Sequence, residues 1–249
     1  MTAPEGIDSP VSPLGHALGL AARIGTQIFT HVRFEGAIDD IPKQGPVILA
    51  ANHVSNVDGV LLAGWVLPHL SRQAQWLGKR EMFDVPIMGR VVRAYGVHPV
   101  ERSGADIEAF RIAEGILEAG QVLLLFPEGT RSRDAALQKP RDGLAVLALR
   151  TGATIVPIGL SDTNRLWPRG KKPRFWRDGH VTVRVGEPFK LADELPADLS
   201  RKDAKTQATD LIMRRIAALL PERQRGAYSE VDPPEVALNV GRSIRPPER

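Results

Sequence analysis

Two short, continuous apolar segments constrain this chain more than any other feature of its sequence. One runs Pro46-Val-Ile-Leu-Ala-Ala and stops at Asn52-His53, and the other runs Val122-Leu-Leu-Leu-Phe126 and stops at Pro127-Glu128. Neither segment alternates between polar and apolar residues, which is the pattern of a strand that is buried on both faces of a sheet. Each strand also ends abruptly in polar residues, so the sequence predicts two polar loops that follow buried strands.

Helical and strand patterns alternate around these segments. Helices are predicted at 12–30, 57–67, 86–95, 106–118, 143–150 and 204–220. Further strands are predicted at 31–36, 74–78, 96–100, 154–160 and 180–186, the last with period-two alternation and therefore nearer the sheet edge. The fold class expected is a single α/β domain, in which helices flank a largely buried mixed sheet and a helical segment precedes it. We divide the chain into an N-terminal segment with an amphipathic helix (1–30), one main domain (31–225) and a loosely ordered tail (226–249).

Composition excludes several classes of site. The chain of 249 residues contains no cysteine, which excludes disulfides, thiolate metal sites and cysteine nucleophiles. No apolar run reaches the ~20 residues that a membrane-spanning helix needs. The formal charge of +4 is matched by residues 161–180 alone, which hold six Lys or Arg and two Asp. The positive charge is therefore a local patch, which disfavours a general nucleic-acid binder.

The first polar loop contains a histidine and an aspartate with suggestive spacing. His53 lies in the predicted strand-to-helix connection, and Asp58 in the first helical turn, with Ser55 at the expected N-cap. Because His53 precedes the helix, the loop can fold back and bring the imidazole to the carboxylate, which would leave the other ring nitrogen for a substrate proton. The alternative is an ordinary capping box beside a loop histidine.

The second polar loop, Pro127-Glu-Gly-Thr-Arg-Ser132, would share a crevice with the first. Ligands of open α/β sheets bind beyond the carboxyl ends of the strands, and both loops follow such ends. Gly129 permits close backbone approach to a ligand, and the planar guanidinium of Arg131 suits a phosphate or a carboxylate. The alternative is a plain turn that carries a surface arginine.

Four ordered blocks of this sequence resemble the PlsC-type glycerolipid acyltransferases. Asn52-His53-Val-Ser-Asn-Val-Asp58 matches the H-x4-D motif, and Phe126-Pro-Glu-Gly-Thr-Arg-Ser132 matches the third motif of that family. The block from Gly96 to Arg102 is similar to the second motif, although His98-Pro99 stands where aliphatic or aromatic residues are usual, and Ile155-Val-Pro-Ile-Gly159 is similar to the fourth.

The resemblance implies an O-acyltransferase that moves a fatty acyl group from acyl-CoA or acyl carrier protein to a hydroxyl of lysophosphatidate, in phospholipid biosynthesis. It makes His53 the general base and Asp58 its partner. It assigns the acceptor's glycerol and phosphate to a larger set: Arg102, Glu128, Gly129, Thr130 and Arg131, with Lys79 as a further candidate that could equally be a solvated surface residue. It implies no cofactor beyond the acyl donor.

The segment 164–177 interleaves basic and aromatic residues. It suits an anionic bilayer surface or the phosphates of coenzyme A, and a solvated basic loop is the alternative. The histidines other than His53 are widely spaced, so no metal site is predicted. We expect a peripheral protein at the cytoplasmic face of the cell membrane. Alternative functions are the same chemistry on glycerol 3-phosphate or another lysolipid, and non-catalytic binding of lipid or acyl-CoA.

Overall fold

A seven-stranded mixed sheet organises the molecule, with strand order β1-β7-β6-β2-β5-β3-β4. The computed structural model describes residues 13–70, 72–101 and 105–230. Its strands are β1 (Thr30–Gly36), β2 (Val47–Ala51), β3 (Ala74–Lys79), β4 (Val97–Val100), β5 (Val122–Leu125), β6 (Thr154–Ser161) and β7 (Trp176–Val185). The predicted α/β class with a mixed sheet is confirmed.

Strand direction determines where the polar loops meet. Strands β6, β2, β5, β3 and β4 are mutually parallel, whereas β7 runs antiparallel to β6 and β1 runs parallel to β7. The carboxyl ends of β2, β5 and β6 therefore lie at one edge of the sheet. Since Ser161 pairs with Thr182, the first residues of β7 extend past the end of β6 at that same edge. The edge collects both predicted polar loops and the segment that leads into β7.

Helices cover both faces of the sheet. They are α1 (Pro13–Phe29), α2 (Asp58–Leu61), α3 (Pro86–Ala94), α4 (Ala105–Glu118), α5 (Gly143–Thr151), α6 (Thr163–Leu166), α7 (Leu191–Glu194) and α8 (Arg201–Ala218). Helix α2 continues through a π-helical turn (Leu62–Val66) and a 3-10 turn (Leu67–His69), so the predicted helix 57–67 is present in three helical forms. Within the described residues, no helix combines the length and apolar content needed to cross a bilayer.

Strand β2 shows why its segment is apolar throughout. Val47, Leu49 and Ala51 belong to the core on one face, while Ile48 and Ala50 belong to the core on the other. The first core is completed by α1, α2 and its continuation, and the second by α4, α5 and α8. A strand with two buried faces has no position left for a polar side chain.

Helix α1 packs closely on the continuation of α2. A Cβ atom at Gly64 would lie 2.9 Å from the backbone nitrogen of Arg23, so the glycine is needed for this approach. Leu14, Leu20, Ile24 and Ile28 remain exposed on the other side of α1. The helix therefore has one face on the domain and one apolar face in solvent.

One predicted strand boundary was wrong, and the first residues of the predicted tail are described by the structure. The strand predicted at 180–186 begins at Trp176, because its first residues pair with β1 rather than with β6. The tail predicted from residue 226 begins with a 3-10 turn (Gly226–Tyr228) whose Tyr228 packs against the second core. Residues 231–249 of that tail lie outside the described residues, as do residues 1–12 of the predicted N-terminal segment 1–30.

Candidate active site

The loop after β2 brings His53 onto Asp58. The imidazole Nδ1 lies 2.8 Å from the carboxylate Oδ2, the His53 side chain is 21% exposed, and Asp58 is fully buried. Oδ2 also accepts the backbone N–H groups of Val54 at 2.8 Å and Ser55 at 2.7 Å. Because this oxygen acts as an acceptor, the ring nitrogen Nδ1 donates to it, which leaves Nε2 facing away from Asp58. The predicted contact between the two side chains is confirmed.

Ser55 was predicted to be the N-cap of the following helix, and the structure places another residue there. Helix α2 begins at Asp58 with Val57 at the N-cap position. The hydroxyl of Ser55 accepts the Val57 N–H at 3.2 Å and donates to the carbonyl of Trp167 at 2.7 Å. The serine therefore connects the histidine loop with the segment after β6. Asp58, the acidic residue of the predicted capping box, accepts hydrogen bonds from both Ser55 and His53.

Glu128 lies beneath the histidine loop, 3% exposed. Its Oε1 accepts the backbone N–H of His53 at 2.6 Å, and its Oε2 accepts the N–H of Gln138 at 2.9 Å. Burial, with smaller contributions from the charges of Asp58 and Asp134, raises the pKa of Glu128 to about 7, although the two backbone hydrogen bonds act to lower it. The carboxylate thus joins the two polar loops from below, at a position where an acceptor would not contact it directly.

The middle of the second loop, Gly129 to Arg131, is turned outward. Gly129 has φ +66°, and a Cβ atom there would lie 2.7 Å from Nε of Arg141. The positive φ favours glycine at this position, and the Arg141 side chain of this chain packs against it. Thr130 is exposed and Arg131 is partly exposed, and the Arg131 carbonyl accepts a hydrogen bond from Arg169 at 3.2 Å.

Of the predicted acceptor residues, Lys79 is not joined to this centre, and Arg102 cannot be placed. Lys79 ends β3 with an exposed side chain, and no hydrogen bond or ion pair of the described residues links it to His53, Asp58 or Glu128. Arg102 lies outside the described residues. Its neighbour Glu101 pairs with Arg80 at 2.8 Å, and both side chains are largely exposed.

The basic and aromatic segment packs beside the site and on α1. The Phe175 ring stacks on Phe29 with centroids 4.3 Å apart, and Arg177 donates to the carbonyls of Gln27 and Ile28, both at 3.0 Å. Arg169 reaches the backbone of the second loop, as described above. This segment therefore connects the exposed apolar face of α1 with the mouth of the crevice.

Sequence reasoning missed the residues that hold the loops. Asn52 forms two hydrogen bonds with the backbone of Leu160, at 3.0 and 2.7 Å, and Thr163 donates to Oδ1 of Asp58 at 2.6 Å. Thr163 follows the apolar strand β6 in the way that His53 follows β2. The rule that located the first two polar loops would have located this one.

This chain is similar in sequence to known acyltransferases and similar in fold to a solved structure. A family model described as Acyltransferase matches residues 31–161. A 1-acyl-sn-glycerol-3-phosphate acyltransferase of Chlamydomonas reinhardtii is 32% identical over 222 residues, which are 87% of this chain and 61% of that protein. One of Bacillus subtilis is 26% identical over 185 residues, covering 73% of this chain and 84% of that protein.

The crystal structure of the 1-acyl-sn-glycerophosphate (LPA) acyltransferase PlsC from Thermotoga maritima superimposes with a TM-score of 0.65 at 25% identity, covering 83% of this chain and 79% of that one. The chain spans only 43% to 61% of the length of its relatives from Chlamydomonas reinhardtii, Arabidopsis thaliana and Brassica napus. The matched residues 31–161 contain the histidine loop and the second loop, and they make up more than half of the chain. The chain therefore belongs to the PlsC-type acyltransferase family.

Proposed function

We propose that this protein transfers a fatty acyl group from an acyl thioester to the free hydroxyl of lysophosphatidate, with His53 as the general base. The observation that carries the proposal is the 2.8 Å contact between Nδ1 of His53 and the buried carboxylate of Asp58. The names of the relatives support lysophosphatidate as the acceptor.

In the proposed reaction, Nε2 of His53 takes the hydroxyl proton as the hydroxyl oxygen attacks the thioester carbonyl carbon. A tetrahedral intermediate forms and then collapses as the C–S bond breaks. The thiolate leaves with the proton that the imidazolium returns. Asp58 holds the ring in the correct tautomer and stabilises the imidazolium. No enzyme nucleophile is needed, which agrees with a chain that contains no cysteine.

We propose that the acceptor phosphate binds at the outward side of the second loop. Thr130 and Arg131 are accessible there, and the guanidinium offers two parallel donors to a phosphate. Arg102 and Lys79 remain candidates for the same phosphate. Glu128 contributes indirectly in this proposal, because its carboxylate holds the backbone of His53 and of Gln138.

We propose further that the protein reaches its lipid substrate from the cytoplasmic face of the membrane. The docking surface comprises the exposed apolar residues of α1 (Leu14, Leu20, Ile24 and Ile28), Phe175, and the basic residues Arg169, Lys171, Lys172, Arg174 and Arg177. The stack of Phe175 on Phe29 makes the apolar and basic parts one continuous surface. Apolar burial and attraction to anionic headgroups would then act together.

The test is an assay of the purified full chain with labelled palmitoyl-CoA or palmitoyl carrier protein. The acceptors are lysophosphatidate, glycerol 3-phosphate and neutral lysolipids, and the product and its acylated position are identified by mass spectrometry. We expect phosphatidate from lysophosphatidate, and a strongly reduced rate of product formation by a His53→Ala variant. Preferential use of glycerol 3-phosphate or of a neutral lysolipid would reassign the acceptor. Donor binding without product from any acceptor would overturn the proposal in favour of a binding protein.

A further inference from the structure

Thr163 is the first residue of α6 and follows directly on the short link from β6. Its Oγ1 donates to Oδ1 of Asp58 at 2.6 Å, and both residues are fully buried. The residue lies outside the matched family segment 31–161. It does not reach the crevice itself, so any effect on the reaction would pass through Asp58.

The two oxygens of Asp58 are held in different ways. Oδ2 takes all the contacts with the histidine loop, from His53, Val54 and Ser55. Among the described residues, Thr163 alone donates to Oδ1. A carboxylate held through one oxygen can still turn about its Cβ–Cγ bond, whereas a strong donor on the second oxygen fixes its plane. The hydroxyl therefore sets the direction from which Oδ2 meets the imidazole.

The position of Thr163 is itself fixed from a distant part of the chain. Asp162 adopts φ +63°, a left-handed conformation that is uncommon for a residue other than glycine. Its N–H donates to Oε1 of Gln224 at 3.0 Å, and its carboxylate pairs with Arg223 at 2.5 Å and with Arg165 at 3.4 Å. A strained residue held by three partners presents the next residue in a defined direction.

We infer that Thr163 is a positioning residue for the His53–Asp58 pair, and this inference rests on the function proposed above. The hydroxyl keeps Oδ2 of Asp58 on Nδ1 of His53 while Nε2 gains and returns the substrate proton. The role requires a hydroxyl and not merely a side chain of the same volume.

The experiment compares Thr163→Val, which keeps the shape and removes the donor, with Thr163→Ser, which keeps the donor. We expect Thr163→Val to lower kcat about ten-fold or more, because small misplacements of a catalytic group are costly. The KM values for both substrates should not change, and Thr163→Ser should recover most of kcat. The second readout needs no turnover: the downfield proton resonance of the His53–Asp58 hydrogen bond, assigned by its absence in His53→Ala, should shift or vanish in Thr163→Val and persist in Thr163→Ser.

Thr154→Val is the matched control, since Thr154 is the buried threonine at the other end of β6. It should leave kcat and the proton resonance unchanged. If Thr163→Val does not fold, as judged by its melting transition, Thr163→Ala takes its place. A parental kcat and resonance in the donor-free variant would overturn the positioning role, provided that His53→Ala is inactive. Parental turnover by His53→Ala would instead overturn the proposed function.

Discussion

The imidazole of His53 lies almost flat against the ring of Phe126, with centroids 4.1 Å apart and ring planes 17° apart. Asp58 fixes one atom of the imidazole, and the Phe126 ring fixes its plane. The two constraints come from different loops, since Phe126 follows β5 and His53 follows β2. Phe126, which leads into the second loop, therefore contributes to the orientation of the proposed base.

Removing the ring of Phe126 should slow the reaction without weakening substrate binding. We expect Phe126→Leu to lower kcat by about ten-fold, since the imidazole gains freedom to rotate out of line with the substrate proton. Steady-state kinetics with both substrates would measure this. Phe126→Tyr keeps the stacking surface and is the control that should stay close to the parent. An equal loss in both variants would show that the site responds to any change at this position.

Loss of the base or of its partner should affect turnover strongly. His53→Ala should lower kcat by about 10²- to 10⁴-fold, the usual contribution of a positioned general base. Asp58→Asn should lower kcat by a similar factor, because an amide cannot accept all the hydrogen bonds that this carboxylate accepts. Acyl-CoA binding, followed by calorimetry, should survive in His53→Ala. A folded His53→Ala protein with near-parental turnover would contradict the mechanism.

Glu128 should make the stability of the protein depend on pH. Its pKa is raised from 4.5 to about 7 in the folded state, so between these values the folded protein holds a proton that the unfolded chain has released. The free energy of unfolding therefore falls as pH rises through this window, by an amount on the order of 3 kcal/mol. Urea unfolding of the parent and of Glu128→Gln, over about pH 5 to 8, isolates this part of the pH dependence.

Glu128→Gln should show the shallower decline with pH. Its absolute stability should be lower at acidic pH, because an amide cannot accept both backbone N–H groups that the carboxyl group faces. Parallel stability curves for the two proteins would rule out Glu128 as the source of the effect.

Arg131 should matter for acceptors that carry a phosphate. Arg131→Ala should lower kcat/KM for lysophosphatidate by about 10- to 100-fold, the range expected for a lost charge-assisted hydrogen bond. Arg131→Lys should recover only part of it, because lysine lacks the planar pair of donors. A monoacylglycerol acceptor is the control, as it has no phosphate to lose. An equal fall with both acceptors would place the phosphate contact elsewhere.

The proposed docking surface should show two separable components. Replacing Lys171, Lys172 and Arg174 by Gln should weaken binding to anionic vesicles by roughly 100-fold at low salt, at about 1 kcal/mol per charge. Arg169 is left unchanged because it contacts the backbone of the second loop. Turnover of a soluble short-chain acceptor should not change.

The residual binding should be insensitive to salt and should depend on α1. Replacing Ile24 and Ile28 by Ser should remove it, since both side chains are exposed and apolar. Vesicle sedimentation at low and high ionic strength measures both components. If the parent binds equally well to neutral and to anionic vesicles, the basic residues are a solvated loop.

The sequence was most informative where the decisive interactions are local. The strands β2 and β5 were predictable because burial on both faces leaves a continuous apolar signal, and the contact of His53 with Asp58 was predictable because only a short loop separates them. The resemblance assigned Glu128 to the acceptor, and sequence reasoning did not find the contacts of its buried carboxyl group with two backbone N–H groups. His53 lies 75 residues from Glu128 in the sequence, and Gln138 lies 10 residues away in a loop. Both contacts use backbone N–H groups, which every residue except proline has, so residue types could not identify them.

The pairing between strands was the second feature that could not be predicted from the sequence. The strand that begins at Trp176 was placed four residues too late, because its first part pairs with β1 and lacks the alternation of its second part. Of the basic and aromatic segment 164–177, only Trp176 and Arg177 belong to β7, and residues 167–175 form the loop that leads into the strand. The stack of Phe175 on Phe29 joins two residues that are far apart in the sequence, so it could not be predicted from either residue alone.

Gln224, near the end of the described residues, makes hydrogen bonds that the arrangement of the candidate site depends on. Its side chain accepts the N–H of Asp162 and donates to the carbonyl of Ala135, and its carbonyl accepts the N–H of Leu137. A chain that stopped at residue 161 would keep all four motif blocks and lose the contacts that hold two of the surrounding loops. The four motif blocks contain the proposed site residues, whereas Gln224, near the carboxyl end of the described domain, holds the loops around them. The shortest segment that keeps these loops in place therefore extends to at least Gln224.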